Sequence, residues 1–164
     1  MIRAAFRNGF YAGALLAVIV GIYLFQLWQP DRQVHLHSVH LVAALEQKDW
    51  PTFEDFLALE YQDQWGHDRE LALSRLRQVL HYARNLHIEA QQTIASGSGS
   101  EGRWSARIRI EADDNEIAAM IKSRVNVIEE PFELSWRRQS WKPWDWKLVR
   151  VTNAALEVPA GSGF

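Results

Sequence analysis

Residues 103–112, RWSARIRIEA, decide the fold of this chain: Trp104, Ala106, Ile108, Ile110 and Ala112 alternate without a break with Arg103, Ser105, Arg107, Arg109 and Glu111. Successive side chains of a strand point to opposite faces, so the run predicts a half-buried β-strand with one apolar and one charged face. A weaker strand is predicted just before it, over 88–95, and the Ser/Gly tract 96–102 reads as a flexible hairpin loop that pairs the two antiparallel. After it, Asp113, Asp114 and Asn115 suit a turn and 117–123 reads as a short helix. Residues 125–128 and 132–139 read as strand, with Pro131 as a bulge or edge break, and 144–156 closes the sheet.

Upstream the period changes. Val39, Leu41, Val42 and Leu45 recur at helical spacing from a plausible Ser38 cap, and that helix ends near Gln47. Pro51, after Asp49, suits a first helical turn, and Phe53, Phe56, Leu57 and Tyr61 then define a second helix. Gly66 breaks the pattern, Asp68 caps a new start, and Ala72, Leu76, Val79, Leu80, Ala83 and Leu86 line a third helix. Three helices followed by a meander of strands predict an α+β domain in which the helices cover one face of a curved antiparallel sheet.

The chain opens differently. From Phe10 to Trp28 there is no charged residue, and nineteen helical residues rise about 28 Å, close to the hydrocarbon thickness of a bilayer. Arg3 and Arg7 lie before the run, Tyr11 and Trp28 suit the two interfaces, and Pro30-Asp31-Arg32 ends it, so positive-inside logic places the N-terminus in the cytoplasm. A cleaved signal peptide would have a shorter apolar core, and YLFQLWQPDRQ offers no small-x-small cleavage site. The expected organisation is a cytoplasmic N-terminus (1–9), a transmembrane helix (10–28), a linker (29–37), a globular domain (38–157) and a flexible tail (158–164). Gly9, Gly13, Ala17 and Gly21 recur every four residues and form a candidate dimer face within the span.

Composition narrows function. After the span 16 basic residues face 20 acidic ones, a net charge of −4 that argues against general nucleic-acid binding. There is no cysteine, hence no disulfide and no thiolate metal site. His35, His37 and His40 lie close in sequence but lack metal-ligand spacing and an acidic partner, and read as part of a hydrated connector.

The segments LVAALEQKDWPTFEDFL (41–57) and LSWRRQSWKPWDWKLVRV (134–151), in this order of elements, resemble members of the nuclear transport factor 2-like superfamily. The resemblance spans roughly Ser38 to Leu156. It implies a cone-shaped domain whose bent sheet and helices enclose a pocket, often in a dimer. The superfamily holds ketosteroid isomerase, dehydratases, transport adaptors and membrane-anchored secretion-system subunits, among which fold alone does not choose. Its enzymes usually set an Asp or an Asp/His pair in the cone. His40, His81 and His87 are the candidate bases here, with no acid partner visible in the sequence.

Trp136, Trp141, Trp144 and Trp146 interleave with Arg137, Arg138, Lys142, Lys147 and Arg150. Strand alternation puts Trp144, Trp146 and Leu148 on one face, which is how a core looks, and leaves 141–143 as an exposed turn able to touch a partner or lipid headgroups. Candidate pocket or partner contacts are Tyr61, His81 and Trp104, together with Trp136, Trp141, Trp144 and Trp146. The reading that results is a single-pass inner-membrane protein with an extracytoplasmic, periplasmic domain. It acts as a non-catalytic interaction or ligand-binding module and forms a homodimer, with possible envelope partners; no cofactor, metal or nucleic acid is expected. The bacterial setting is what the resemblance to anchored members implies. The alternative is an anchored small-molecule enzyme of isomerase or dehydratase type, using a His and a carboxylate in the cone.

Overall fold

A computed structural model describes residues 2–113 and 116–156, with side chains from residue 13 onward. The tail 158–164 and the turn residues Asp114 and Asn115 lie outside the described residues. In chain order the elements are α1 (Ile2–Leu27), α2 (Pro30–Gln47), α3 (Trp50–Phe56), α4 (Arg69–His81), β1 (His87–Ser98), β2 (Glu101–Glu111), α5 (Glu116–Val125), β3 (Phe132–Arg138) and β4 (Trp146–Thr152). Among the described residues the four strands form one antiparallel sheet in sequence order.

Two of the three helix starts read from local chemistry stand. Asp49 accepts from the Thr52 amide at 3.3 Å and Asp68 from the Leu71 amide at 2.9 Å, so each aspartate satisfies a first-turn donor that no helical carbonyl reaches. The α4 pattern stops at His81, yet Ala83 and Leu86 continue its apolar face into the core from the loop.

The connector predicted over 29–37 is instead helix. α2 begins at Pro30, a residue preorganised for a first turn, and carries Asp31 there against the positive end of the helix dipole. Ser38 is therefore no cap: it sits mid-helix, fully buried, and its hydroxyl donates to the Val34 carbonyl at 2.8 Å. What stabilises this extension lies nearly seventy residues away. A Cβ on Gly97 would lie 2.6 Å from the Pro30 Cβ, and one on Gly102 would lie 2.2 Å from Val34 Cγ2, so both glycines admit α2 against the β1–β2 hairpin. The tract 96–102 is correspondingly strand almost throughout, with register pairs Ser96 to Arg103, Gly97 to Gly102 and Ser98 to Glu101. Only residues 99 and 100 turn, with Gly99 at φ +61°.

Two irregularities bend the sheet around the helices. In β1 the register shifts between Gln91 and Ile94, with Gln92 at φ +52°, so the helix-facing positions pass from Ile88 and Ala90 to Ala95, and Ile94 faces solvent. A second shift at Ser135/Trp136 leaves Val149 out of register and brings Val151 opposite Leu134. The strand expected over 125–128 is also absent. α5 runs through Val125, and the Asn126 side chain takes the place of a strand by accepting from the Ile110 amide at 2.8 Å and donating to its carbonyl at 3.0 Å.

No single helix among the described residues is long and apolar enough to cross a membrane. Gly13–Leu27 passes that test only jointly with Pro30–Gln47, from which it is bent by 67°, and Pro30–Gln47 is packed on the sheet through Val34, Leu41 and Ala44.

Candidate functional site

The space between helices and sheet is where a cone fold would hold a ligand, and here side chains fill it. Trp104 on β2, Trp136 on β3, and Trp146 and Leu148 on β4 are each no more than 2% exposed. They pack with Val34, Leu41, Phe53, Tyr61 and Leu134 into one apolar cluster. Register places Gly102 opposite Trp136 and Leu134 opposite Trp104, so the small residue makes room for the large. The Nε1–H of Trp146 donates to the Pro143 carbonyl at 2.7 Å, whereas Nε1–H of Trp104 and of Trp136 meet no acceptor among the described residues. Tyr61 is buried in the same cluster, and desolvation, with a smaller contribution from Asp63, pushes its phenol well above the usual range.

A titratable ring borders this interior from the helix side. His37, on α2, stands edge-on to Trp136 and to Phe56 with centroids 5.8 and 5.9 Å away. Its Nδ1 lies 2.8 Å from the Gln33 carbonyl and its Nε2 3.0 Å from the Trp144 carbonyl, so it ties α2 to the β3–β4 turn. Two facing carbonyls favour the imidazolium, but burial outweighs them, and His40 and Lys147 act in the same direction as burial; the pKa of His37 is lowered. Among the described residues no carboxylate is a hydrogen-bond partner of His37.

A His–carboxylate pair exists elsewhere. Asp63 is buried, and its Oδ2 meets His67 Nδ1 at 2.9 Å while its Oδ1 accepts from the Trp65 and His67 amides at 2.9 and 2.8 Å. The pair lies in the segment that runs along β4, where Gln62 and Gln64 donate backbone N–H groups to the Val149 and Val151 carbonyls. The sequence did carry a signal for it, an acid and a His four apart across Gly66, but in a stretch without periodicity. His87, a sequence candidate, also has an acid partner: the half-buried Glu46 holds its Oε1 2.8 Å from the exposed imidazole at the start of β1. His81 is exposed and stacks edge-on against Tyr82, and His40 is exposed.

The remaining candidates divide between inside and outside. Trp141 and Trp144 precede β4 rather than sharing its inner face with Trp146, and are 83% and 54% exposed. On α1, Gly13 and Gly21 have nothing within 4 Å of an added Cβ and Ala17 is exposed; at Gly9 only the helical backbone is described. Among the described residues, two hollows lie outside the cone. One of about 320 Å³ lies between α3 and α4, where Glu54 is held by Arg69 at 3.5 Å and Arg77 at 3.8 Å. The other, about 390 Å³, lies across the sheet against Ser96, Arg103, Ser135 and Arg137. Among the described residues no group of three or more His, Asp or Glu side chains is placed to hold a metal ion.

This architecture is that of the nuclear transport factor 2-like, or cystatin-like, cone. Solved structures similar to it include Bd1075 of Bdellovibrio bacteriovorus (14% identity, TM-score 0.58, covering 77% of this chain and 41% of that one). A nuclear transport factor 2-like protein of unknown function from Pseudomonas putida KT2440 matches at 12% identity and TM-score 0.58, over 77% of this chain and 86% of that one. A protein provisionally named as a ketosteroid isomerase from Shewanella frigidimarina matches at 13% identity and TM-score 0.54, over 76% and 96%. This chain thus spans about two fifths of Bd1075. At such identities the likeness shows the fold alone. No protein-family model matches the sequence, and no curated protein matches it.

Proposed function

We propose that the chain is a membrane-anchored binding module: residues 10–28 cross the bilayer with the N-terminus in the cytoplasm, and the cone domain works on the other side, in the periplasm of a bacterial envelope, without catalysis. The observation that carries the non-catalytic half is the filled interior, in which Trp104, Trp136, Trp146 and Leu148 occupy the volume a substrate would need. The anchor half is supported by the α1 side chains Leu15, Leu16, Ile19, Ile22 and Phe25, each more than half exposed and without a packing surface in the domain. Self-association through Gly9, Gly13, Ala17 and Gly21 belongs to the same reading, since small residues let two helices approach closely in lipid.

The test joins topology to partners. Carbonate-resistant membrane association and a C-terminal reporter active only outside the cytoplasm are expected. Crosslinking in membranes from exposed domain positions is expected to recover defined envelope proteins. Release by carbonate, or a reporter active in the cytoplasm, overturns the anchor; recovery of this chain alone overturns the hetero-partner role. A second reading, an anchored isomerase or dehydratase, draws on one observation, the buried Asp63 holding His67 at 2.9 Å, the geometry in which a carboxylate orients a base. Loss of a cyclic-ketone isomerase or dehydratase activity in His67→Gln, with folding intact, would establish it over the first.

A further inference from the structure

The β3–β4 turn, 139–145, is rigid and yet presents two indoles to solvent. It is closed by the Gln139 amide on the Asp145 carbonyl at 2.8 Å and by Trp146 Nε1–H on the Pro143 carbonyl. From outside, Gln139 Nε2 donates to Glu60 at 3.2 Å and His37 meets the Trp144 carbonyl. With the backbone so held, Trp141 and Trp144 are nonetheless 83% and 54% exposed, with Lys142 exposed between them. The place of this turn in the fold explains such a display. Gly97 meets Pro30, the Arg138 amide donates to the Ser100 carbonyl at 2.8 Å, and His37 reaches Trp144, so the hairpin tip and the β3–β4 turn gather at the end of the domain from which α1 departs. Trp28, also exposed, stands at that junction.

The bend sets the level. His37 is seven residues along α2 from Pro30, about 10 Å of helix. With α2 turned 67° from α1, that length raises His37 only about 4 Å along the α1 axis. The turn is thereby held beside the end of α1 instead of being carried away from it. Indoles are favoured at this depth because their apolar body and polar N–H match the headgroup layer, and Lys142 adds a cation suited to lipid phosphate.

We infer that Trp141 and Trp144, with Lys142, insert into the headgroup layer of the same bilayer that α1 crosses, so that the domain lies against the membrane instead of standing off it; this rests on the anchor reading above. The chain has no cysteine, so single spin labels can be placed in the full chain reconstituted into phosphatidylethanolamine/phosphatidylglycerol vesicles. The labelled variants are Ile19→Cys in α1, Lys142→Cys with both indoles kept, and Val127→Cys, which follows Asn126 beside Ile110, about 30 Å along β2 from Glu101. Collision with a water-soluble nickel chelate is expected to be several-fold lower at 142 than at 127 and lowest at 19. Adding Trp141→Ser and Trp144→Ser is expected to bring 142 up to the level of 127. A label at 142 as accessible as that at 127, with 19 shielded, overturns the inference and leaves the anchor standing; such a result would point to a protein partner for the indoles. Shielding at 142 that survives removal of both indoles overturns their role. An accessible label at 19 overturns the anchor and the inference with it.

Discussion

Replacing Gly102 by Ala tests the contact that organises the fold. Gly102 is a strand residue without a positive φ, so away from its neighbours an added methyl would stabilise by about 0.4–1 kcal/mol through the unfolded chain. Here the new Cβ lies 2.2 Å from Val34 Cγ2 and 3.2 Å from Trp146 Cζ3, where carbon pairs are at ease at about 3.5–4.0 Å. The Val34 methyl must retreat by more than 1 Å. Valine on a helix has essentially one χ1 rotamer, and α2 cannot slide because Pro30 is seated on Gly97. Overpacking of this kind costs about 1–3 kcal/mol, and we expect about 2 kcal/mol for Gly102→Ala. Val34→Ala removes the obstructing atom and costs roughly 1–2 kcal/mol alone in lost methyl burial. In the double variant the Cβ added at Gly102 enters the vacated space, so the cycle should show at least about 1 kcal/mol of favourable coupling. Urea unfolding of the full chain in detergent, followed by tryptophan fluorescence with a constant m-value, measures all four corners. Gly102→Ala within about 0.5 kcal/mol of wild type, or a strictly additive cycle, would refute the close approach of α2.

Three further outcomes follow from the site. Trp146→Phe should cost about 1 kcal/mol more than Trp104→Phe, because the first loses a hydrogen bond to Pro143 and the second a donor that already lacks an acceptor; equal losses in urea midpoints would contradict this. Asp63→Ala, which orphans the Trp65 and His67 amides, should cost roughly 2–3 kcal/mol and Asp63→Asn about 1 kcal/mol, since Asn retains an accepting oxygen; thermal unfolding separates them. His37 has its pKa lowered by burial below the reference 6.5, so the folded state binds its proton less readily than the unfolded chain. Its contribution is complete above pH 6.5 and is lost as pH falls from there to the lowered folded value. His37→Gln should therefore flatten the decline in melting temperature between about pH 7.5 and about pH 5, and an unchanged slope would assign that decline to other groups.

What could be read from sequence was what neighbouring residues decide among themselves. The alternation over 103–112 reports its own exposure pattern, and Asp49 and Asp68 each bond an amide three residues on. What could not be read depends on distant chain. Gly97 and Gly102 have the composition of a flexible loop, yet their missing Cβ atoms are what Pro30 and Val34 require. The bulge at Gln92 changes parity, so Ile94 ends outside although alternation from Ile88 puts it inside. Val125 to Ile128 has strand composition, but β2 finds its partner there in one Asn126 side chain. For the candidate site, the indoles were legible as a group and Trp141 as exposed, but Trp144 was placed with the inner face of Trp146. Trp104, Trp136 and Trp146 alternate into the interior, while Trp141 and Trp144 fall in a turn, where strand period carries no information.

The helical start of α2 changes what the first third of the chain does. A flexible nine-residue linker over 29–37 would span roughly 17 Å root-mean-square and let a domain take any attitude to its anchor. In its place stands a helix whose first two turns are engaged on every side that matters. Gln33 Nε2 donates to the last α1 carbonyl, Leu27, at 2.8 Å; Pro30 and Val34 fill the space over Gly97 and Gly102; His37 reaches the Trp144 carbonyl. These contacts join α1, the β1–β2 hairpin and the β3–β4 turn through one short stretch of helix. The 67° bend is then a property of packed and hydrogen-bonded groups rather than of a hinge. Gln33 is the one member of this set that bonds directly to α1, and it is only 6% exposed. Losing its amide would free α1 to pivot about Trp28 and Gln29 while leaving the core of the domain intact.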